Sequence, residues 1–273
     1  MMILEAIACS RTAPSRSGSI RLLGRSSKAI NFVTEDQRVL TLHREGCGLG
    51  PSGWMVADCD FMALYHLTEQ DLPITLSNQK IELGQHCLHM GSNPIKMMIP
   101  KERTLNIDWL ETRLASLSMQ ETGLYGILSH AIRQPIGEEL NNILYPLKQW
   151  LKGDVPNWRQ LIGAGPGLTP SHDDMIVGML FVAYHDEKLS NIASELLPES
   201  TNLYELTTSV SASYLEQARN GFFSEPLLNL SIFSDNQREF NRAISRLLQH
   251  GHYSGADTLL GIYLCLSLLK NQK

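Results

Sequence analysis

The sequence predicts an α+β protein: a β-rich first part, barrel-like or sandwich-like, followed by a mostly α-helical part. Two observations carry this expectation. Up to about residue 100, short extended runs alternate with polar turns, and Gly46, Gly48, Gly50 and Gly53 punctuate the middle, as in small barrels and sandwiches. Beyond Pro100, apolar residues recur at helical spacing, beginning with Leu105, Trp109, Leu110, Leu114 and Leu117. The expected division is a β-rich domain 1–100 and an α-helical domain 101–273.

The strand expectations are 19–23, 29–34, 38–42, 54–57, 72–76 and 80–83. Each is rich in branched or apolar residues and bounded by polar turns. The helix expectations continue with 124–132, 138–151, 174–186, 203–220, 236–249 and 257–269. Gly221 and Gly251 follow two of these directly, as helix stops.

Composition narrows the function classes. With 273 residues, 43% hydrophobic and 19% charged, the chain can bury a sizeable core and is not a disordered polymer. A net charge of −5 without a Lys/Arg block argues against a polyanion partner such as nucleic acid. The longest apolar stretch, 175–184, is interrupted by Gly178 and is too short to span a bilayer. The apolar run 3–9 is briefer than a secretory signal, although the serine-rich segment 11–25 is basic, so the expected location is cytoplasmic. The five cysteines include no C-x-x-C pair and read as free thiols.

The chemistry is expected at Gly163-Ala-Gly-Pro-Gly-Leu-Thr-Pro-Ser-His-Asp-Asp174. Gly163, Gly165 and Gly167 let a backbone turn tightly or be approached closely by a ligand. Ser171 is placed as a helix N-cap, with Asp174 three residues later in the capping-box position. Free amides at such a helix start attract an anion. The segment is neither the phosphate-binding G-x-x-x-x-G-K-[ST] nor the dinucleotide G-x-G-x-x-G, and the chain carries no nicotinamide, flavin or zinc signal. A capped turn of glycine and proline would explain the same residues without any ligand.

A second segment repeats the first. Ser254 and Asp257 have the spacing of Ser171 and Asp174, and Gly178 and Gly261 each stand four residues after the aspartate. Two such starts can face one shared pocket, with Gly255 giving close approach and the glycines one turn inside letting the helices cross. Asp173, outside the capping position, reads as the freer carboxylate, suited to a substrate hydrogen bond or a hard cation such as Mg²⁺. His172 and His252 are the nearest titratable bases and the candidate proton carriers. Thr169, Ser171 and Ser254 offer hydroxyls, but none has a base at fixed spacing. Glu82, His86 and His89 would make a metal site only on a helix, and that region reads as strand. The Thr/Ser run 207–213 is either a polar wall of the cleft or a solvated helix face.

These stretches carry a resemblance. The segments 163–174, 207–221 and 251–261, in this order and separation, resemble a bacterial family of largely uncharacterised proteins that includes AllH, a subunit linked to oxamate carbamoyltransferase in allantoin catabolism. The resemblance covers the C-terminal half and implies an enzyme, or enzyme subunit, acting on a small anionic metabolite by carbamoyl or phosphoryl transfer. It also implies further subunits as partners. The alternative is a non-catalytic anion- or nucleotide-binding module of a complex. His172 departs from the family's usual glycine, which puts a simple transfer of the AllH role in doubt.

Overall fold

A computed structural model describes residues 1–77, 79–100 and 105–271. Residues 101–104, where the helical domain is expected to begin, lie outside the described residues. The chain forms two compact units, Met1–Met97 with Phe222–Glu225, and Met98–Gly221 with Pro226–Lys273.

The first unit is a curled nine-stranded sheet. Its strands are β1 (Ile3–Glu5), β2 (Ala8–Cys9), β3 (Gly18–Arg25), β4 (Ala29–Thr34), β5 (Val39–Arg44), β6 (Gly53–Val56), β7 (Ile74–Ser77), β8 (Lys80–Leu83) and β9 (His86–His89). The order is β1-β9-β8-β7-β3-β4-β5-β6-β2, so the two edges are consecutive in the chain. Between them, the amides of Ala6 and Ile7 bond His89 in β9 and Met55 in β6, drawing the two ends of the sheet together. Strands β4 and β5 are buried almost throughout. That is why their sequences lack the strict in-out alternation of a half-exposed strand.

Helix α1 (Asp58–Leu67) has no counterpart in the sequence expectations. It buries only Phe61 and Leu64, too narrow a stripe to stand out as periodicity, and it packs against β5. Asp58 and Asp60 in its first turn complement the positive end of the helix.

The second unit is helical. It contains α2 (Ile107–Ala115), α3 (Leu128–Ala131), α4 (Asn141–Leu151), α5 (Ser171–His185), α6 (Leu203–Leu206), α7 (Ser209–Arg219), α9 (Gln237–Leu248) and α10 (Ser254–Lys270), with most of α8 (Glu225–Ile232). At the centre, α5 and α10 are buried nearly all round, as expected of helices that are apolar on every face. The missing side chains of Gly178 and Gly261 permit their close crossing. A Cβ at Gly178 would lie 2.3 Å from the Thr258 carbonyl oxygen, and one at Gly261 would lie 2.1 Å from that of Met175.

Three helix expectations change in ways that matter for the site. The expected helix 203–220 breaks at Thr207, whose φ of −145° and ψ of −177° are extended. Thr208 then caps α7 by accepting from the Ser211 amide at 3.1 Å. The central helices also begin three residues earlier than expected, so Ser171 and Ser254 are first-turn residues rather than caps. The capping positions fall to Pro170 and Tyr253, neither with a side-chain cap. Among the described residues, no helix is long and apolar enough to cross a membrane.

Candidate functional site

The loop before α5 folds back onto the start of its own helix. Gly163 adopts φ +84°, and a Cβ there would strike the Leu206 carbonyl oxygen at 2.2 Å. Gly165, at φ +119°, lies so close to Ser171 that a Cβ would stand 2.5 Å from its amide nitrogen. Gly255 similarly accommodates the Leu247 carbonyl oxygen, 2.1 Å from where a Cβ would be. At these three positions the closely approaching group is the protein itself. Gly167 differs: it is exposed at the loop tip, between Pro166 and Leu168.

Several amides of the two helix starts are already engaged. The His172 amide donates to the Ala164 carbonyl at 3.1 Å, and the amides of Asp173 and Asp174 donate to that of Pro170. In α10, the Gly255 amide donates to His250 and the Asp257 amide to Tyr253. Backbone carbonyls of the same chain thus take these donors, which narrows the helix-start anion cradle expected from the sequence.

The roles of the two adjacent aspartates also differ from expectation. Asp173 is the committed one. Its Oδ1 accepts from the Gly163 amide at 2.8 Å, and its Oδ2 accepts from the hydroxyls of Thr207 at 2.5 Å and Ser211 at 2.6 Å. Its side chain thus ties the glycine loop to the extended break at Thr207 and to α7. Burial raises its pKa, against the lowering effect of these three donors. Asp173 is thus not the freer carboxylate expected from its place outside the capping position. Among the described residues, no group of three His, Cys, Asp or Glu side chains is placed to hold a metal.

Asp174 is the underused carboxylate. The Ser254 and Thr169 hydroxyls favour its charged form, and they bond each other at 2.6 Å, but its Oδ2 is buried without a hydrogen-bond partner. Burial pushes its pKa well above the usual carboxylate range, and the charges of Asp257 and Asp173 push the same way. Asp257 is 1% exposed and accepts from the Gly123 amide through both oxygens, at 3.1 and 3.3 Å. Burial raises its pKa to about 6, with the Ser171 hydroxyl and the Gly123 amide opposing. Ser171 itself is fully buried, and its Oγ has no well-aligned partner.

The repeated S-x-x-D therefore works between helices. Ser254 of α10 supports Asp174 of α5, and Ser171 of α5 stands by Asp257 of α10. Among the described residues, no lysine or arginine forms an ion pair with Asp173, Asp174 or Asp257. Tyr214, from α7, feels the Asp174 charge and has its pKa raised to about 12, chiefly by burial.

The histidines separate. His172 is 7% exposed; its Nδ1 donates to the Leu161 carbonyl at 3.0 Å, which leaves Nε2 to accept from the Tyr125 hydroxyl at 2.7 Å. Burial lowers its pKa, so it is neutral and holds this tautomer. The Tyr125 hydroxyl is pushed up to about 12 by burial and by Asp257 and Glu139. His252 is exposed at the start of α10, its ring edge-on to Tyr253 with 4.3 Å between centroids.

The sequence expectations gave the segment 122–126 no site role and placed 124–126 in a helix 124–132, but helix α3 starts only at Leu128, and the segment before it supplies Gly123 to Asp257 and Tyr125 to His172. Its own turn is closed by Thr122, whose hydroxyl donates to the Gly126 carbonyl and accepts from the Tyr125 amide. The run Thr-Gly-Leu-Tyr-Gly was a legible turn signal, but nothing local ties it to residues more than 40 positions away.

Residues 161–266 match the family model described as oxamate carbamoyltransferase subunit AllH. The match covers well under half of the 273 residues and includes all three aspartates, the Thr207 break and both helix starts, but not the 122–126 segment. No solved structure matches the chain.

Proposed function

We infer that the chain is an enzyme subunit of the oxamate carbamoyltransferase type, handling a small carboxylate-bearing metabolite in carbamoyl transfer. The observation that carries this reading is the coincidence of the family match with the place where α5 and α10 cross at three aspartates. Buried carboxylates without a cation repel carboxylate and phosphate groups. This favours carbamoyl over phosphoryl chemistry at these residues. It also gives a reason for a subunit: the cationic groups that hold the substrate's anionic parts come from a partner. Asp257, its pKa raised by burial to about 6, has the property required of an acid or base working near pH 7.

The second reading, a non-catalytic module, is favoured by His172 and Asp173 being already engaged, which leaves no base beside a nucleophile. One experiment separates the two. The chain is combined with candidate partner subunits, and oxamate-dependent phosphate release from carbamoyl phosphate is measured. The enzyme reading expects turnover that requires this chain and falls at least about a hundredfold in Asp257→Asn. Full turnover by that variant, with loss only when the chain is omitted, favours the module. Equal turnover without the chain refutes both.

A further inference from the structure

The crossing of α5 and α10 leaves buried hydrogen-bonding capacity unused. Asp174 Oδ2 is buried and accepts nothing, and the fully buried Ser171 Oγ lacks a well-aligned partner. The Ser171 hydroxyl stands beside Asp257, and Asp174, at the same pair of helix starts, feels the Asp257 charge. Such atoms are uncommon in a folded interior, because each forfeits the hydrogen bonds it had in water.

The packing beside Ser171 and Asp257 depends on a missing side chain. A Cβ at Gly123 would lie 2.0 Å from Ser171 Oγ and 3.2 Å from Asp257 Oδ2. Glycine at 123 thus lets its amide reach Asp257 while keeping bulk away from the serine hydroxyl.

We propose that Asp174 Oδ2, Asp257 and the Ser171 hydroxyl form a subsite for the primary amide or ureido end of the substrate, –C(=O)NH₂; this rests on the carbamoyltransferase reading above. The chemistry matches group by group. The carboxylate oxygens accept the two N–H bonds of the amide. The serine hydroxyl, a donor as well as an acceptor, gives its proton to the amide oxygen. A carboxylate or phosphate in the same place offers only acceptors to acceptors and adds negative charge to a site that already has three aspartates. The subsite therefore selects the nitrogen-bearing end of a molecule such as oxamate and turns its carboxylate away from the aspartates.

The test is a titration of the full chain with oxamate, with oxalate (in which a second carboxylate replaces the amide) and with guanidinium, followed by calorimetry and amide chemical shifts. Oxamate is expected to bind at least about tenfold more tightly than oxalate, with the largest shifts at 123, 171, 174 and 257. Gly123→Ala is expected to weaken oxamate binding by about tenfold or more. Oxalate binding equally well, guanidinium preferred to oxamate, or no oxamate binding would each overturn the subsite. Should Gly123→Ala fail to fold, the oxamate-to-oxalate ratio of the unaltered chain still decides. Turnover in an assembled enzyme without amide selectivity here would overturn the subsite and leave the carbamoyltransferase reading standing. Selective oxamate binding without turnover in any assembly would do the reverse.

Discussion

Replacing Gly178 with alanine tests whether the crossing of α5 and α10 is as rigid as its geometry implies. The new Cβ would lie 2.3 Å from the Thr258 carbonyl oxygen and 2.9 Å from the Ile262 nitrogen, where ordinary contact begins at 3.4 Å. Both obstructing atoms are helix backbone and cannot rotate away. The helices must separate by about 1 Å, and a gap of that size forfeits a quarter to a half of each dispersion contact across it. Overpacking of this kind costs up to about 3 kcal/mol. The better helix propensity of alanine returns about 1 kcal/mol. The net loss is about 2 kcal/mol, which lowers Tm by roughly 4–8 °C in a unit of this size. Calorimetric melting is the assay, with Gly24→Ala as control, since nothing lies within 4 Å of a Cβ there. A Gly178→Ala melting temperature equal to that of the unaltered protein would refute the argument.

Asp173→Ala should destabilise the protein by about 3 kcal/mol, because it strands the Gly163 amide and the Thr207 and Ser211 hydroxyls. Asp173→Asn should cost much less, since one amide oxygen can still accept from Gly163 while the hydroxyls rotate to accept from the new NH₂; urea denaturation compares the two. His185 is held neutral by burial, its pKa lowered from 6.5 to about 4, while its Nδ1 bonds the Phe181 carbonyl and its Nε2 is buried without a partner. A depressed histidine contributes stability above its unfolded pKa and loses it as pH falls toward the folded value, here between 6.5 and about 4. His185→Phe should therefore remove about 3 kcal/mol of acid sensitivity in that window. Parallel stability profiles from pH 7 to pH 4 would contradict this.

Some of this was written locally in the chain. The change from short extended runs to helical spacing predicted a β-rich part followed by helices, because period and turn chemistry are properties of neighbouring residues. The S-x-x-D-x-x-x-G repeat likewise predicted two similar helix starts and, through Gly178 and Gly261, their close crossing. What the repeat could not reveal was the exchange of partners. Within one helix, Ser171 and Asp174 make a plausible capping box; only the crossing puts Ser171 beside Asp257 and Ser254 beside Asp174. The same limit hid the difference between Asp173 and Asp174. Adjacent positions on a helix point about 100° apart, and which one meets Gly163, Thr207 and Ser211 is set by how the loop and α7 pack. The amides of His172 and Asp173 looked available because sequence records donors but not the Ala164 and Pro170 carbonyls that take them. Tyr125 and Gly123 were invisible as site residues for the same reason: hydrogen bonds act over about 3 Å, and only the tertiary structure brings residues so distant in the chain within that reach.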